Sequence, residues 1–375
     1  MATRLLLTVP LVLTVAAATV AWVALGPAAA LAFGALALLE IAMAADSSVP
    51  MAGIAGRLHS PARRLFLSIG IVAGVLAMRL VLPPAAVAVG GATDPASAVD
   101  EAVFAPGSFS AHLAEVRPAL AAFGAAFIWS VFAEYLFNTD RLSRRSWLGA
   151  LEARLARVAR PRAWSVVTAA TGVLVTTVLV GRHDAWTPDA VLPVAVGGAA
   201  GVGAYLVSKR IARWALRGVD GTDTGSVGTR GAWRVHAYAY ASTVVFERGL
   251  VVFMLFEILD GVYSLSGSGL LGADGLGALE QAALAVAAIA VGAVFLARTT
   301  SHLDQAATLK RLRYLKAGAA YVLGVLAVLL WTSLLVPVPG TVVAWFGTVV
   351  IGLALASSLP WRAWARRFRR RTLAG

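Results

Sequence analysis

Glu40 and Asp46 stand six residues apart in "LEIAMAADSSVP", inside a run otherwise apolar enough to cross a membrane. An ionised carboxylate at mid-bilayer costs about 3 kcal/mol on insertion scales, so two in one run call for a use. A second stretch, "FEILDGVYSLSGSG", sets Glu257, Asp260 and Ser264 at i, i+3 and i+7, one stripe of a helix. Glu40 and Asp46 do not share a stripe, because six helical residues turn through about 600°. Pro50 offers a reason for a break: it disfavours the helical conformation at Val49 and deletes one backbone donor. With the chain unwound at 46–48, Asp46, Ser47 and the freed carbonyls would add oxygen ligands. Gly261 and Gly267 would loosen the second stretch in the same way.

Several carboxylates plus carbonyls form the donor set of a hard divalent cation such as Mn²⁺, Mg²⁺ or Ca²⁺. The chain has no Cys, and its five His are scattered over loops and span ends, which argues against a soft-metal site and removes thiol chemistry. Two roles stay open for Glu40 and Asp260. They either ligate a cation or proton, or they pair with Arg79 and Arg298 in a buried charge network. Glu134 reads as a solvated residue at a membrane edge, and Glu247 as a boundary pair with Arg248. "GSGLLG" at 267–272 matches the dinucleotide fingerprint letter for letter, but no strand precedes it. No nucleophile triad or phosphate loop is present, so the expectation is a protein that is not an enzyme and carries no cofactor.

The elements that would position these residues are membrane helices. Of 375 residues, 59% are hydrophobic and only 14% charged, more apolar surface than a water-facing domain can hide. Ten spans are expected, at about 5–25, 28–54, 65–90, 118–137, 164–181, 189–208, 244–270, 278–297, 315–336 and 341–359. The net charge of +13 does not indicate nucleic-acid binding, because the Arg residues fall in alternate short loops. That alternation places both termini in the cytoplasm. The first run resembles a signal peptide in its basic start, but it is long for one, and the loop charges balance only if it stays. Residues 146–160 read as an amphipathic helix lying in the interface, and 361–375 as a basic cytoplasmic tail. "GGAAG" at 197–201 reads as a close-packing face of small residues.

The two acidic stretches also correspond to each other. Aligning Asp260 with Glu40 sets Ser266 opposite Asp46, and each stretch is followed by a helix rich in small residues that carries an Arg, Arg79 or Arg298. By the loop charges the two stretches run in opposite directions. The fold expected is therefore an all-α, polytopic transmembrane bundle built as an inverted five-plus-five repeat. Residues 1–181 form one half and 182–360 the other, with the site between them near mid-bilayer.

"LEIAMAADSSV" with "RRLFLSIGIVAGVLAMRLVLP", "AAFGAAFIWSVFAEYLF", "FEILDGVYSLSG" and "YLKAGAAYVLGVLAVLL" together resemble the TerC-type integral membrane proteins, over most of residues 35–360. That resemblance implies membership of the LysE-type transporter superfamily and a link to metal-ion efflux, manganese in particular, and to tellurium resistance. This chain departs from the family pattern at three places: Ser47 where Asn is typical, Ser266 where Asp is, and Lys316 where Glu is usual. The function expected is a divalent-cation exporter of the bacterial inner membrane working by alternating access. Its metal ligands would be Glu40, Asp46, Ser47, Glu257, Asp260 and Ser264, with Arg79 and Arg298 as charge partners. A non-transporting scaffold in a metal or tellurite stress assembly, and a small-solute exporter of the LysE group, are the alternatives. The partners implied are the lipid bilayer and the cation, with homo-oligomer formation left open.

Overall fold

The structure is a computed structural model that describes residues 2–55, 63–64, 66–91, 94–137, 150–155, 157, 160–182, 191–220, 239, 243, 246–247, 250, 254, 276–305 and 315–336. Among these, every regular element is helical. In chain order they are α1 (Ala2–Leu25), α2 (Pro27–Ala55), α3 (Phe66–Gly90), α4 (Pro95–Phe104), α5 (Pro106–Phe137), α6 (Ala150–Leu155), α7 (Pro161–Gly181), α8 (Val191–Asp220), α9 (Ala278–Gln305) and α10 (Leu315–Ser333). Six helices among the described residues are long and apolar enough to cross a membrane, and Pro27–Leu38 and Ala320–Ser333 are shorter apolar helices. The protein is an all-α helical membrane bundle. Most of the expected span at 244–270 and all of that at 341–359 lie outside the described residues.

Two helices differ from their expected limits for legible reasons. α5 starts at Pro106 rather than near 118, and Pro118 lies inside it. Phe109, Leu113 and Val116 recur at helical spacing and bury themselves against Val87 and Ala88 of α3 and Ala98 and Ala102 of α4. That packing makes a helix of a stretch too polar to read as a span. α8 runs on to Asp220, so Lys209, Arg210, Arg213 and Arg217 are helical rather than loop residues. No Gly or Pro interrupts the chain between Gly203 and Gly218 to stop it sooner.

The helices pack as two groups. In the first, α1, α2 and α9 bury Ala29, Phe33, Leu36, Ala37, Leu284 and Ala288 together. The start of α3 joins them through Phe66 and Ile71 against Met51, Ala55 and Leu296. In the second, α5, α7, α8 and α10 enclose Phe127, Ile128, Tyr205, Leu326 and Leu330, and Leu250 and Met254 pack with them. The C-terminal part of α3, with α4, spans between the groups. α6 sits against α5 with Glu152 buried, so that part of the expected interfacial helix turns an acid inward.

Candidate mid-membrane charge site

Glu40 lies at the midpoint of α2 and is 7% exposed. Arg79, 4% exposed, lies at the midpoint of α3 and donates from Nη2 to Glu40 Oε1 at 2.5 Å. Gly292, at the midpoint of α9, completes the site: a Cβ there would stand 2.7 Å from Glu40 Cβ and 3.2 Å from the Glu40 carbonyl. A side chain at 292 would therefore push α2 away. Among the described residues, the central layer of the first group holds the Glu40 carboxylate, the Arg79 guanidinium and the bare backbone of Gly292. Leaving either charge alone at that depth would cost several kcal/mol, about 3–5 on removal of one partner of a buried pair.

Local sequence accounts for the placement of Arg79. Pro83 and Pro84 follow it and carry no N–H for the carbonyls of Arg79 and Leu80, four residues earlier. The helix widens instead into a π-turn over Ala77–Val81, with the N–H of Leu82 bonding to the carbonyl of Ala77. Such turns recur at functional sites in membrane helices, and here one presents Arg79. The break expected at Pro50 is absent, since α2 continues as regular helix through residues 46–50. One missing N–H is tolerable where neighbouring groups can satisfy the freed carbonyl. The irregular backbone of this region belongs to α3.

Of the residues singled out in the sequence, the structure brings Glu40 and Arg79 together. Asp46 and Ser47 lie on α2, one to two turns beyond Glu40. Arg298 is on α9 and exposed. Glu257, Asp260, Ser264 and Ser266 lie outside the described residues. Among the described residues no three His, Asp or Glu side chains converge as metal ligands.

A second charged cluster escaped the sequence reading. Glu134, near the end of α5, takes Arg162 Nε of α7 at 3.2 Å on one oxygen and Lys209 Nζ of α8 at 3.3 Å on the other. Lys209 also reaches Glu247 Oε1 at 3.0 Å. Ser208 Oγ donates to that same oxygen at 3.4 Å, and Ser165 Oγ donates to Tyr205 Oη at 3.1 Å. Glu134 is therefore paired rather than simply solvated. Its charged members, at 134, 162, 209 and 247, follow one another at intervals of 28, 47 and 38 residues near helix ends, where a charge needs no explanation, so only the helix packing reveals them.

Alongside this, α8 lies directly on α5. A Cβ at Gly197 or Gly201 would collide with the carbonyls of Ala119 or Phe123. "GGAAG" is a close-approach face of the small-residue kind.

An apolar helical bundle with a buried Glu–Arg pair midway along two of its helices defines a multi-pass membrane protein with an internal polar site. The chain belongs to the family described as protein of unknown function DUF475, whose model matches residues 45–363. That stretch takes in Arg79, Glu134, Lys209 and Glu247, and begins just after Glu40. No curated protein and no solved structure gives a significant match.

Proposed function

We propose that the protein is a transporter of cations, with a divalent, manganese-like ion as cargo, moved out of the cytoplasm by alternating access. The observation that carries this reading is the buried Glu40 carboxylate at the middle of α2, paired with the Arg79 guanidinium of the neighbouring helix. Ionisable groups at that depth mark substrate or ion pathways by default. The Arg79 guanidinium meets Glu40 through a direct hydrogen bond, so it acts as a tethered stand-in for the cation. An arriving ion competes with it for Glu40, aided by Asp46 and by acids of the second acidic stretch, Glu257 and Asp260. Release of Arg79 then repacks α3 at its π-turn, which links occupancy to a change in helix packing. The resemblance to TerC-type proteins supports the choice of a divalent ion.

The test is manganese flux into vesicles carrying the purified protein, followed with an enclosed manganese-sensitive dye. Glu40→Gln is expected to abolish flux in protein that remains folded. Flux and cellular manganese unchanged by Glu40→Gln would favour the second reading, a non-transporting membrane scaffold. One observation speaks for that scaffold: Glu40 already has its charge met by Arg79.

The orientation proposed, with both termini cytoplasmic in a bacterial inner membrane, rests on the loop charges. Reporter fusions after residues 60, 150, 220, 310 and 375 should report cytoplasm, and those near 105, 185 and 275 the outside. An outside signal at 150 would refute the ten-span arrangement behind it.

A further inference from the structure

We propose that the last turns of α8 form a docking surface for an anionic phospholipid, with Arg210 and Arg213 gripping the headgroup and Trp214 fixing its depth. α8 has two unlike faces. One is seated on α5 through Gly197 and Gly201, backbone against backbone, and is closed to any ligand. The opposite face carries Leu192, Val196, Leu206 and Val207, all exposed, and after them Arg210, Arg213 and Trp214, also exposed. These seven side chains fall within about 120° of the helix circumference. The stripe that is apolar along the span therefore turns basic in its last turns without changing direction.

Neighbouring residues fix the depth of that change. Arg162 and Lys209 both reach Glu134, which sets them at one level of the bundle. Trp164 of α7, exposed, stands two residues from Arg162, and Trp214 stands five residues beyond Lys209. Exposed tryptophans at the ends of apolar helices mark the headgroup region. Arg210 and Arg213 lie about 1.5 and 6 Å past Lys209 along the helix axis, within the band that the two indoles mark.

Charges at this level are sorted. Glu134 and Glu247 turn inward to Lys209, and Glu152 is buried. Among the described residues no carboxylate pairs with Arg210 or Arg213. Arg213 Nε donates instead to the Lys209 carbonyl at 3.2 Å, which folds its guanidinium back towards the turn carrying Arg210. Two guanidiniums in adjacent turns match both the phosphodiester and the net negative charge of one headgroup. A zwitterionic lipid offers the same phosphate but adds a cationic choline, which the pair repels. The acyl chains then lie along Leu206 and Val207. This inference does not depend on the transport reading.

Native mass spectrometry of the full chain, released from detergent, tests it with phosphatidylglycerol and phosphatidylcholine as probes. Wild type should bind phosphatidylglycerol the more tightly. Arg210→Gln/Arg213→Gln should weaken phosphatidylglycerol about 25-fold, roughly fivefold for each basic residue lost near an anionic surface, and leave phosphatidylcholine unchanged. Arg210→Lys/Arg213→Lys, which keeps the charge, should stay near wild type. Arg63→Gln/Arg64→Gln, an equal loss of charge at another helix end, should have no effect. Unchanged phosphatidylglycerol affinity in Arg210→Gln/Arg213→Gln would overturn the docking surface. So would an equal loss in Arg63→Gln/Arg64→Gln, the mark of net charge alone. Displacement of bound phosphatidylglycerol by inorganic phosphate would overturn it too, because the site would then serve the free ion.

Discussion

Both helix groups contain a glutamate held by a basic side chain, yet the two arrangements work at different depths and with different cations. In the first group Glu40 meets the guanidinium of Arg79 at the centre of the helices, with both side chains less than a tenth exposed. In the second, Glu134 and Glu247 share the ammonium of Lys209 near the end of the bundle, with side chains about a fifth exposed. Depth sets the cost. At mid-membrane each charge depends on its partner, because the attraction that joins them grows as the surroundings become less polar and water is not at hand. Nearer the bundle end, the Lys209 cluster keeps about a fifth of its side-chain surface exposed, so partial hydration cushions the loss of a partner. An ion pair at the centre has no such cushion.

Backbone geometry follows the same division. The first group places its Arg on a π-turn, a helix departing from regular hydrogen bonding at the charged residue itself. In the second group α5, α7, α8 and α10 are regular helices, and α8 is seated on α5 through Gly197 and Gly201. A further π-turn, over Phe66–Gly70, lies at the start of α3, away from the charged pair.

The largest effect expected, and the quickest way to break this comparison, is at Glu40. Glu40→Gln removes the carboxylate that accepts from Arg79 Nη2 and should destabilise the protein by about 3 kcal/mol, while the double variant Glu40→Gln/Arg79→Gln recovers part of the loss. Thermal unfolding of the detergent-solubilised protein measures both. An equal loss in Glu247→Gln would mean that depth does not separate the two sites.

Next come the glycines. Gly201→Ala sets a methyl group against the Phe123 carbonyl and should cost about 1–3 kcal/mol, read as a lower unfolding temperature. Gly292→Ala meets Glu40 instead and should reduce manganese flux more than it reduces stability. If both variants lower stability alike and leave flux intact, Gly292 is only a packing residue. The smallest effect is at Thr168→Val, which removes the acceptor of the Trp129 indole at 3.2 Å. It should cost about 0.6 kcal/mol, an average interhelical hydrogen bond in a membrane.

The sequence made the bundle and its central charges legible for one reason: lipid imposes a rule that can be read one residue at a time. Apolar runs must be helices, so the expected spans at 5–25, 28–54, 65–90, 164–181 and 278–297 correspond to α1, α2, α3, α7 and α9. A charge inside such a run stands out, as Glu40 and Arg79 do. The rule fails at span ends, where charges are ordinary. Glu134, Lys209 and Glu247 each looked unremarkable alone, and the continuation of α8 beyond residue 208 and the early start of α5 were hidden by polar residues. The sequence also suggested the wrong place for an irregular backbone, because it weighed Pro50 by itself. The adjacent pair Pro83–Pro84, which removes two successive donors, was the stronger signal.

Sequence alone therefore determined the class of the protein, its membrane-crossing runs and the residues that must be sheltered within them, since transfer into lipid depends on each segment's own composition. Only the tertiary structure decided which charge meets which. The pairing of Glu40 with Arg79 depends on α9 approaching closely enough at Gly292 to enclose them, and that of Lys209 with two glutamates depends on α8 lying against the backbone of α5. Both are matters of distance between helices far apart in the chain, and local composition does not specify distance.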